Sequence, residues 1–235
     1  MRHRNRKPKG KRLVVGLVLT AIFIMFITCV AKLPTINVLL QEILSPGQSA
    51  STEYGWNLIL VNDDYKVPKD WDIELTELSN GQSVDSRIYP DLQQMFDDMR
   101  AQGVYPVVAS GYRTAEKQQE LMDEKIDELK EQGYSNSEAK TEARRWVSVV
   151  GYSEHQTGLA VDINADGVNS AGNHVYKKKK KNAWQYGFIL RYPSDKEDVT
   201  GTAYEPWHYR YVGKNAAEEI YHQGICLEEY ITELE

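Results

Sequence analysis

"GYSEHQTGLAVDIN", at residues 151–164, is the most informative part of the chain. Within it, Leu159–Ile163 is typical of a half-buried strand, except that Asp162 lies among its apolar residues. Gly158 and the β-branched residues that follow it disfavour a helix here. If Gly158 turns the chain, the strand brings Asp162 back beside His155, and the two side chains belong to one site.

A second block, EPWHYRY, supplies the residues that would complete such a site. A divalent metal that activates water takes three protein ligands and keeps one position open, and two histidines with one carboxylate are a common set. His155 and Asp162 provide two ligands, and His208 is the best candidate for the third. Glu205, stiffened by Pro206, would then take a proton from the attacking water and pass it to a leaving amine. Taken singly, each residue fits a loop, cap or turn role, but the two blocks together favour the metal site.

Helices and strands are mixed irregularly around these blocks. Residues 56–62, 104–110 and 159–163 and the segments ILRYP and WHYRYVG are strand-like. Apolar spacing predicts helices over 87–102, 114–133, 135–147 (with Ser137 as N-cap) and 214–223, and a partly helical segment over 177–188. Because regular βαβ alternation is missing, the sequence predicts an α+β fold with a mainly antiparallel sheet.

Three blocks, SGYRTAEKQ, SEHQTGLAVD and EPWHYRYVG, resemble in this order the zinc D-alanyl-D-alanine carboxypeptidases of peptidase family M15, subfamily B, the VanY type. The similarity covers residues 56–225. It implies a zinc ion held by His155, Asp162 and His208, with Glu205 as the catalytic base. It also implies the fold shared by lysostaphin-type peptidases, these carboxypeptidases and the hedgehog signalling domain, a small antiparallel sheet flanked by helices.

The substrate of the resembling family is a peptidoglycan stem peptide, which is cut before its terminal D-alanine. Its free carboxylate needs a planar cation, and an arginine can grip a carboxylate through two parallel hydrogen bonds. The resemblance implies that Arg113, Gln118 and Ser153 bind this end of the substrate. Arg113 on its own would equally fit a salt bridge. Two alternatives stay open, an L,D-carboxypeptidase acting on tetrapeptide stems and a non-catalytic wall-binding domain.

The N-terminal part of the chain predicts a membrane anchor. Residues 1–12 carry seven Lys/Arg and no acid, and residues 13–31 are uncharged, so that as a helix they would span about 28 Å. This length, with no small-residue cleavage site, favours an uncleaved signal anchor over a cleaved signal peptide. The positive-inside bias places the N-terminus in the cytoplasm. A juxtamembrane segment and linker over 32–53 would then lead to an extracellular catalytic domain at 54–235.

Charge and composition narrow the partners of the domain. All 34 acidic residues follow residue 12, and this acidic body argues against nucleic acid as a partner. We expect a monomeric domain, and Cys29 and Cys226 cannot form a disulfide within it. The run Lys177–Lys181 is predicted to be a solvated helix face or loop rather than a site for an anionic surface such as membrane lipid or wall polymer. DINADGVN is predicted to be a polar turn, because no acid follows where a calcium loop requires one.

Overall fold

Eight short strands lie within residues 47–169 and 172–235, the part of the chain that the computed structural model describes. They are β1 (Gln48–Ser49), β2 (Tyr65–Lys66), β3 (Leu75–Glu77), β4 (Ser83–Asp85), β5 (Pro106–Ser110), β6 (Ala160–Ala165), β7 (Phe188–Leu190) and β8 (His208–Tyr211). Four of them form a sheet in the order β5-β6-β8-β7, and every neighbouring pair in it is antiparallel. This sheet holds the candidate site.

Seven helices accompany the strands in the same part of the chain. They are α1 (Tyr89–Ala101), α2 (Ala115–Glu131), α3 (Asn136–Ala143), α4 (Gly172–Asn182), α5 (Glu197–Thr200), α6 (Lys214–Gln223) and α7 (Leu227–Leu234). All five predicted helical segments are helical, as α1, α2, α3, α4 and α6, whereas α5 and α7 were not predicted. The predicted α+β class with an antiparallel sheet is confirmed.

The N-cap of α3 is Ser135, so the predicted cap at Ser137 is wrong. The Ser135 hydroxyl accepts from the Glu138 backbone N–H at 3.3 Å, and the Glu138 carboxylate accepts from the Ser135 backbone N–H at 2.9 Å. This reciprocal pair is a capping box. Three residues after Ser137 comes Lys140, which has no acceptor for the second bond.

The predicted strand over 56–62 is also wrong. Trp56–Leu58 forms a 3₁₀ turn, and this segment lies outside the sheets. The Arg210 Nη2 donates to the carbonyls of Asn57 at 3.2 Å and Ile59 at 2.8 Å. Because a side chain from β8 satisfies these two carbonyls, Ile59 can be buried here although the segment does not pair as a strand.

An apolar core joins the sheet to α1. Val161 and Ile163 of β6 are fully buried in one cluster with Leu92 and Met95 of α1. Side chains alternate between the faces of a strand, so Asp162 points away from this core. The prediction that the apolar neighbours of Asp162 face the core is confirmed.

Lys179 is an exception to the predicted solvated face of the lysine run, in which Lys177, Lys180 and Lys181 are exposed. Its side chain is 1% exposed, its Nζ donates to the Ile163 carbonyl at 2.5 Å, and Nζ lies 4.5 Å from the ring centroid of Tyr209. Lys179 is buried because it lies on the side of α4 that packs against β6. Burial lowers the pKa of Lys179 to about 7.

The predicted polar turn over 162–169 is confirmed only for residues 166–169, because residues 162–165 belong to β6. The Asp166 carboxylate accepts from the backbone N–H groups of Val168 at 3.1 Å and Asn169 at 2.9 Å. An aspartate that satisfies backbone N–H groups just ahead of it is a common turn device and requires no calcium.

The predicted basic tail at 1–12 and membrane anchor at 13–31 lie outside the described residues. Within residues 47–169 and 172–235, none of the helices has the length and apolar character needed to cross a bilayer. The predicted linker over 32–53 is described from Gly47 onward, where β1 pairs with β2 and the Ala50 backbone N–H donates to the Lys66 carbonyl at 2.8 Å. Packing of the domain therefore includes residues that precede position 54.

Candidate metal centre

His155 lies in a 3₁₀ turn, Glu154–Thr157, that leads directly into β6. Gly158 ends this turn with a φ of +73°, a conformation that residues with a Cβ disfavour. A Cβ at this position would lie 2.6 Å from the Ile73 Cδ1 and 3.0 Å from the Asp85 backbone nitrogen. The chain therefore reverses here in the way that the glycine in the sequence predicts, and Asp162 returns beside His155.

The sheet brings the second histidine to Asp162. In the register between β6 and β8, Asp162 pairs with His208, and on the other side of β6 it pairs with Ser110 of β5. Residues directly opposite each other on antiparallel strands have their side chains on the same face of the sheet. Strand pairing thus brings Asp162 and His208 together in space although they are far apart in the sequence.

The three predicted ligands converge, and we call them the ligand cluster: His155, Asp162 and His208. The Asp162 Oδ1 lies 3.4 Å from the His155 Nε2 and 3.4 Å from the His208 Nδ1. Ligands held at the usual zinc distances in a tetrahedron are about 3.3–3.4 Å apart. All three residues are buried, with 2%, 9% and 5% of their surface exposed.

Unpartnered atoms in the ligand cluster also fit a metal ion. Within the described residues, neither the His155 Nε2 nor the Asp162 Oδ1 has a hydrogen-bond partner. The other ring nitrogen of His155, Nδ1, lies 2.7 Å from the Gly111 carbonyl oxygen and donates to it. This bond turns the lone pair of Nε2 toward the cluster, as is usual for metal-binding histidines. Histidine, aspartate and histidine are donors that zinc binds.

Each member of the ligand cluster has a shifted pKa. Burial lowers the pKa of His155, which keeps this ring neutral. Although burial opposes ionisation of Asp162, the neighbouring His155, His208 and Arg113 hold the pKa of that carboxyl well below its usual range. Burial likewise disfavours a charged His208, but the neighbouring carboxylates of Glu154, Glu205 and Asp162 raise its pKa to about 9. His208 therefore carries a proton that a metal must displace.

Glu205 lies at the edge of the ligand cluster. Its Oε2 is 3.3 Å from the His208 Nδ1, and the side chain is buried. The His208 backbone N–H donates to the Glu205 carbonyl at 3.2 Å, so a tight turn through Pro206 places both residues on one side of the sheet. A carboxylate held beside the ligands in this way is within reach of a water molecule activated there.

Arg113 makes a salt bridge and also faces the cavity, so it fits both roles that the sequence left open, salt-bridge partner and substrate-binding cation. Its Nη2 donates to the Asp162 Oδ2 at 2.6 Å and its Nε to the Ser110 Oγ at 2.8 Å. The Arg113 side chain also lines the cavity over the ligand cluster. Arg113 is a salt-bridge partner of a candidate ligand and still presents N–H groups to the cavity.

All seven predicted site residues line one cavity of about 480 Å³. Besides the ligand cluster they are Glu205, Arg113, Gln118 and Ser153. The Gln118 Nε2 donates to the Ser148 carbonyl at 2.7 Å, and its buried Oε1 has no partner among the described residues. As placed, Gln118 offers the cavity an acceptor, which suits a substrate N–H rather than a carboxylate.

Two further residues of the site were not predicted. Glu154 lies beside His155 in the sequence, and its Oε2 is 3.5 Å from the His208 Nε2. The ring of Tyr192 packs edge-on against that of His208, with centroids 4.8 Å apart, and Tyr192 lines the cavity. Glu154 could have been found from the sequence, because it is an acid next to a candidate ligand. Tyr192 could not, because nothing in the segment YGFILRYP indicates a role at a metal site.

The family model described as "VanY: D-alanyl-D-alanine carboxypeptidase" matches residues 81–214, a segment that contains every residue of the ligand cluster. The chain belongs to the VanY family. One relative, a D-alanyl-D-alanine carboxypeptidase of Enterococcus faecalis (strain ATCC 700802 / V583), is 57% identical over 191 residues, which are 81% of this chain and 71% of the relative.

Two solved VanY structures are similar to this chain, each at 60% sequence identity and over 75% of its length. The first is a mutant of the vancomycin resistance D,D-pentapeptidase VanY from the VanB-type resistance cassette in complex with Zn(II), with a TM-score of 0.74 over 99% of that chain. The second is VanYB in complex with D-alanine-D-alanine, with a TM-score of 0.75 over 98% of that chain. The resemblance carried by the three sequence blocks is confirmed.

Proposed function

We propose that this protein is a zinc-dependent carboxypeptidase that removes the terminal D-alanine from peptidoglycan stem peptides. The observation that carries the proposal is the ligand cluster, whose unpartnered buried atoms converge beside Glu205 in a cavity. Membership of the VanY family supports the same activity. The relatives with bound Zn(II) and bound D-alanine-D-alanine support the metal and the substrate class.

In the proposed reaction the His155 Nε2, the Asp162 Oδ1 and the His208 Nδ1 hold the zinc. When bound, zinc supplies Lewis acidity, which polarises the scissile carbonyl and lowers the pKa of a water molecule. Glu205 takes the proton from the attacking water and delivers it to the leaving amine of D-alanine. Its position 3.3 Å from the His208 Nδ1 supports this role.

The proposed substrate contacts come from the remaining three cavity residues. Arg113 binds the terminal carboxylate of the substrate with the N–H groups that the salt bridge to Asp162 leaves available. Gln118 accepts from a backbone N–H of the peptide through its unpartnered Oε1. Ser153, which lines the cavity and is buried, offers its hydroxyl to the same end of the substrate.

The place of action is also a proposal. An anchor formed by residues 13–31, with the basic tail in the cytoplasm, would hold a monomeric catalytic domain outside the membrane. Peptidoglycan lies on that side. This arrangement rests on the uncharged run and on its basic flank in the sequence.

Release of D-alanine from synthetic stem peptides tests the proposal. The purified full-length chain is given pentapeptide and tetrapeptide stems, and we expect faster release from the pentapeptide. Glu205→Gln should lower kcat by about 10²–10⁴-fold, the usual contribution of general acid–base catalysis. Glu218→Gln, an exposed acid on α6 away from the cavity, is the matched control and should keep full activity.

Other outcomes distinguish the alternatives. Preferential cleavage of the tetrapeptide would assign an L,D-carboxypeptidase. Binding of both peptides without any release of D-alanine would assign a non-catalytic wall-binding domain. Full activity of Glu205→Gln would contradict the proposed proton transfers.

A further inference from the structure

Two buried atoms next to the ligand cluster complement each other. The Glu154 Oε2 and the His208 Nε2 lie 3.5 Å apart, and within the described residues neither atom has a hydrogen-bond partner. Both residues are buried, with 2% and 5% of their surface exposed. A carboxylate oxygen accepts and a protonated ring nitrogen donates, so these two atoms can satisfy each other.

The other oxygen of Glu154 is held by two buried arginines. The Glu154 Oε1 accepts from the Arg191 Nε at 2.8 Å and from the Arg210 Nη1 at 2.7 Å. Arg191 also makes a two-bond contact with Glu228 of α7, at 2.6 and 2.8 Å. These contacts with two guanidinium groups fix the orientation of the Glu154 carboxylate and leave its Oε2 facing His208.

The histidine on the other side of Glu154 must present a particular nitrogen to the metal. The His208 Nδ1 faces the cluster, 3.4 Å from the Asp162 Oδ1 and 3.3 Å from the Glu205 Oε2. A neutral imidazole has a lone pair on Nδ1 only when its proton is on Nε2. His155 shows the reverse arrangement, with Nδ1 donating to the Gly111 carbonyl and Nε2 facing the cluster.

We infer that Glu154 is a positioning residue for the metal centre: it accepts the Nε2–H of His208 and so turns the lone pair of Nδ1 toward the metal. Each ligand histidine then has its own acceptor behind it, the Gly111 carbonyl for His155 and the Glu154 carboxylate for His208. Such partners fix the tautomer and the ring orientation and raise the basicity of the ligand. Because Glu154 directly precedes His155, one 3₁₀ turn supplies a ligand and the partner of another ligand.

Glu154→Gln tests this inference, which rests on the proposed zinc site. Since Arg191 and Arg210 are donors, the amide oxygen of the glutamine must face them, and its NH₂ group then faces the His208 Nε2. Two donors would oppose each other there. We expect the zinc affinity of the full-length chain, measured by competition with a chromogenic chelator, to fall about 10–100-fold.

Glu228→Gln is the matched control, because it removes a carboxylate from the same arginine without touching a ligand histidine. We expect it to lower the melting temperature but to leave the zinc dissociation constant within about threefold of the unmodified protein. Equal losses of zinc affinity in Glu154→Gln and Glu228→Gln would overturn the inference, because the network would then act only through stability. So would a zinc affinity of Glu154→Gln within threefold of the unmodified value.

A measurement on the unmodified protein covers the case in which Glu154→Gln does not fold. ¹⁵N NMR of the imidazole groups in the zinc-loaded chain should report His208 protonated at Nε2 and bound to zinc through Nδ1. Coordination through Nε2 would overturn the role of Glu154 while leaving the proposed function intact. Failure of the folded, unmodified chain to bind zinc at all would overturn both.

Discussion

Asp162 links three other side chains of the site. Its Oδ1 faces both ligand histidines, and its Oδ2 accepts from Arg113 at 2.6 Å. In the proposed site, one carboxylate thus offers a donor atom to the metal and holds the cation that we propose for the substrate. These two contacts explain why an acid lies in an otherwise apolar strand. Asp162 is on the face of β6 opposite the core, and the site is built on that face.

Arg113→Lys tests the proposed grip on the substrate carboxylate. A lysine keeps one positive charge but cannot bond Asp162, Ser110 and a carboxylate from one planar group. We expect kcat/KM for D-alanine release to fall roughly 10–100-fold, the equivalent of about 1.5–3 kcal/mol for a charged hydrogen bond. Zinc content should stay at one ion per chain. An unchanged kcat/KM would exclude Arg113 from substrate binding.

Zinc binding should depend on pH through His208. With its pKa raised to about 9, this histidine is protonated at pH 7 and must lose that proton before Nδ1 can bind the metal. The lowered pKa values of His155 and Asp162 mean that these two ligands have no proton to lose there. Affinity should therefore fall about tenfold for each pH unit below 9.

Calorimetry in buffers of different ionisation enthalpy measures this proton directly. We expect the chain to release about one proton for each zinc ion bound at pH 7. Binding without proton release at that pH would show that His208 is already neutral.

The turn between His155 and β6 is the element on which the site depends most directly. Gly158→Ala would place a Cβ 3.0 Å from the Asp85 backbone nitrogen, at a φ of +73°. We expect the free energy of unfolding to fall by roughly 1–3 kcal/mol, and zinc affinity to fall as His155 moves. Gly224→Ala is the matched control, because Gly224 has a φ of +69° but no atom within 4 Å of an added Cβ. Chemical denaturation of both variants measures the difference in the free energy of unfolding. Equal losses in the two variants would show that the close contact with Asp85 does not cause the destabilisation.

Elements with local signals were predicted from the sequence, and elements decided by distant contacts were not. α1 and α2 follow from apolar spacing, and β6 from a β-branched run after a glycine. The segment 56–62 has the composition of a strand, but Arg210 from β8 bonds its carbonyls, and no sequence window contains both partners. For α3 the signal was present, because Ser135 and Glu138 have the spacing of a capping box.

The burial of Lys179 is likewise decided by a distant contact that the sequence does not show. Five consecutive lysines look alike in the sequence, and only the docking of α4 on β6 decides which of them is buried. The buried one donates to the carbonyl of Ile163, the residue that follows the ligand Asp162. A charge run is therefore a poor guide to exposure where a helix packs on a sheet.

For the molecule as a whole, the ligands were predictable because their motifs are compact. His155 and Asp162 lie within one turn and one strand, and Glu205 and His208 within one turn. Their register across β6 and β8 was not predictable, and neither was Glu154, whose partners come from β8 and from the segment after β7. The buried chain of Glu154, Arg191 and Glu228 ties the metal centre to α7, a helix that was not predicted.

The dependence of D-alanine release on zinc tests the central claim most directly. The full-length chain is stripped of metal with a chelator and titrated with zinc while D-alanine release from a pentapeptide stem is followed. We predict no release from the stripped chain and full recovery at one zinc ion per chain. Release that persists in the stripped chain, or that does not return with zinc, would contradict the account.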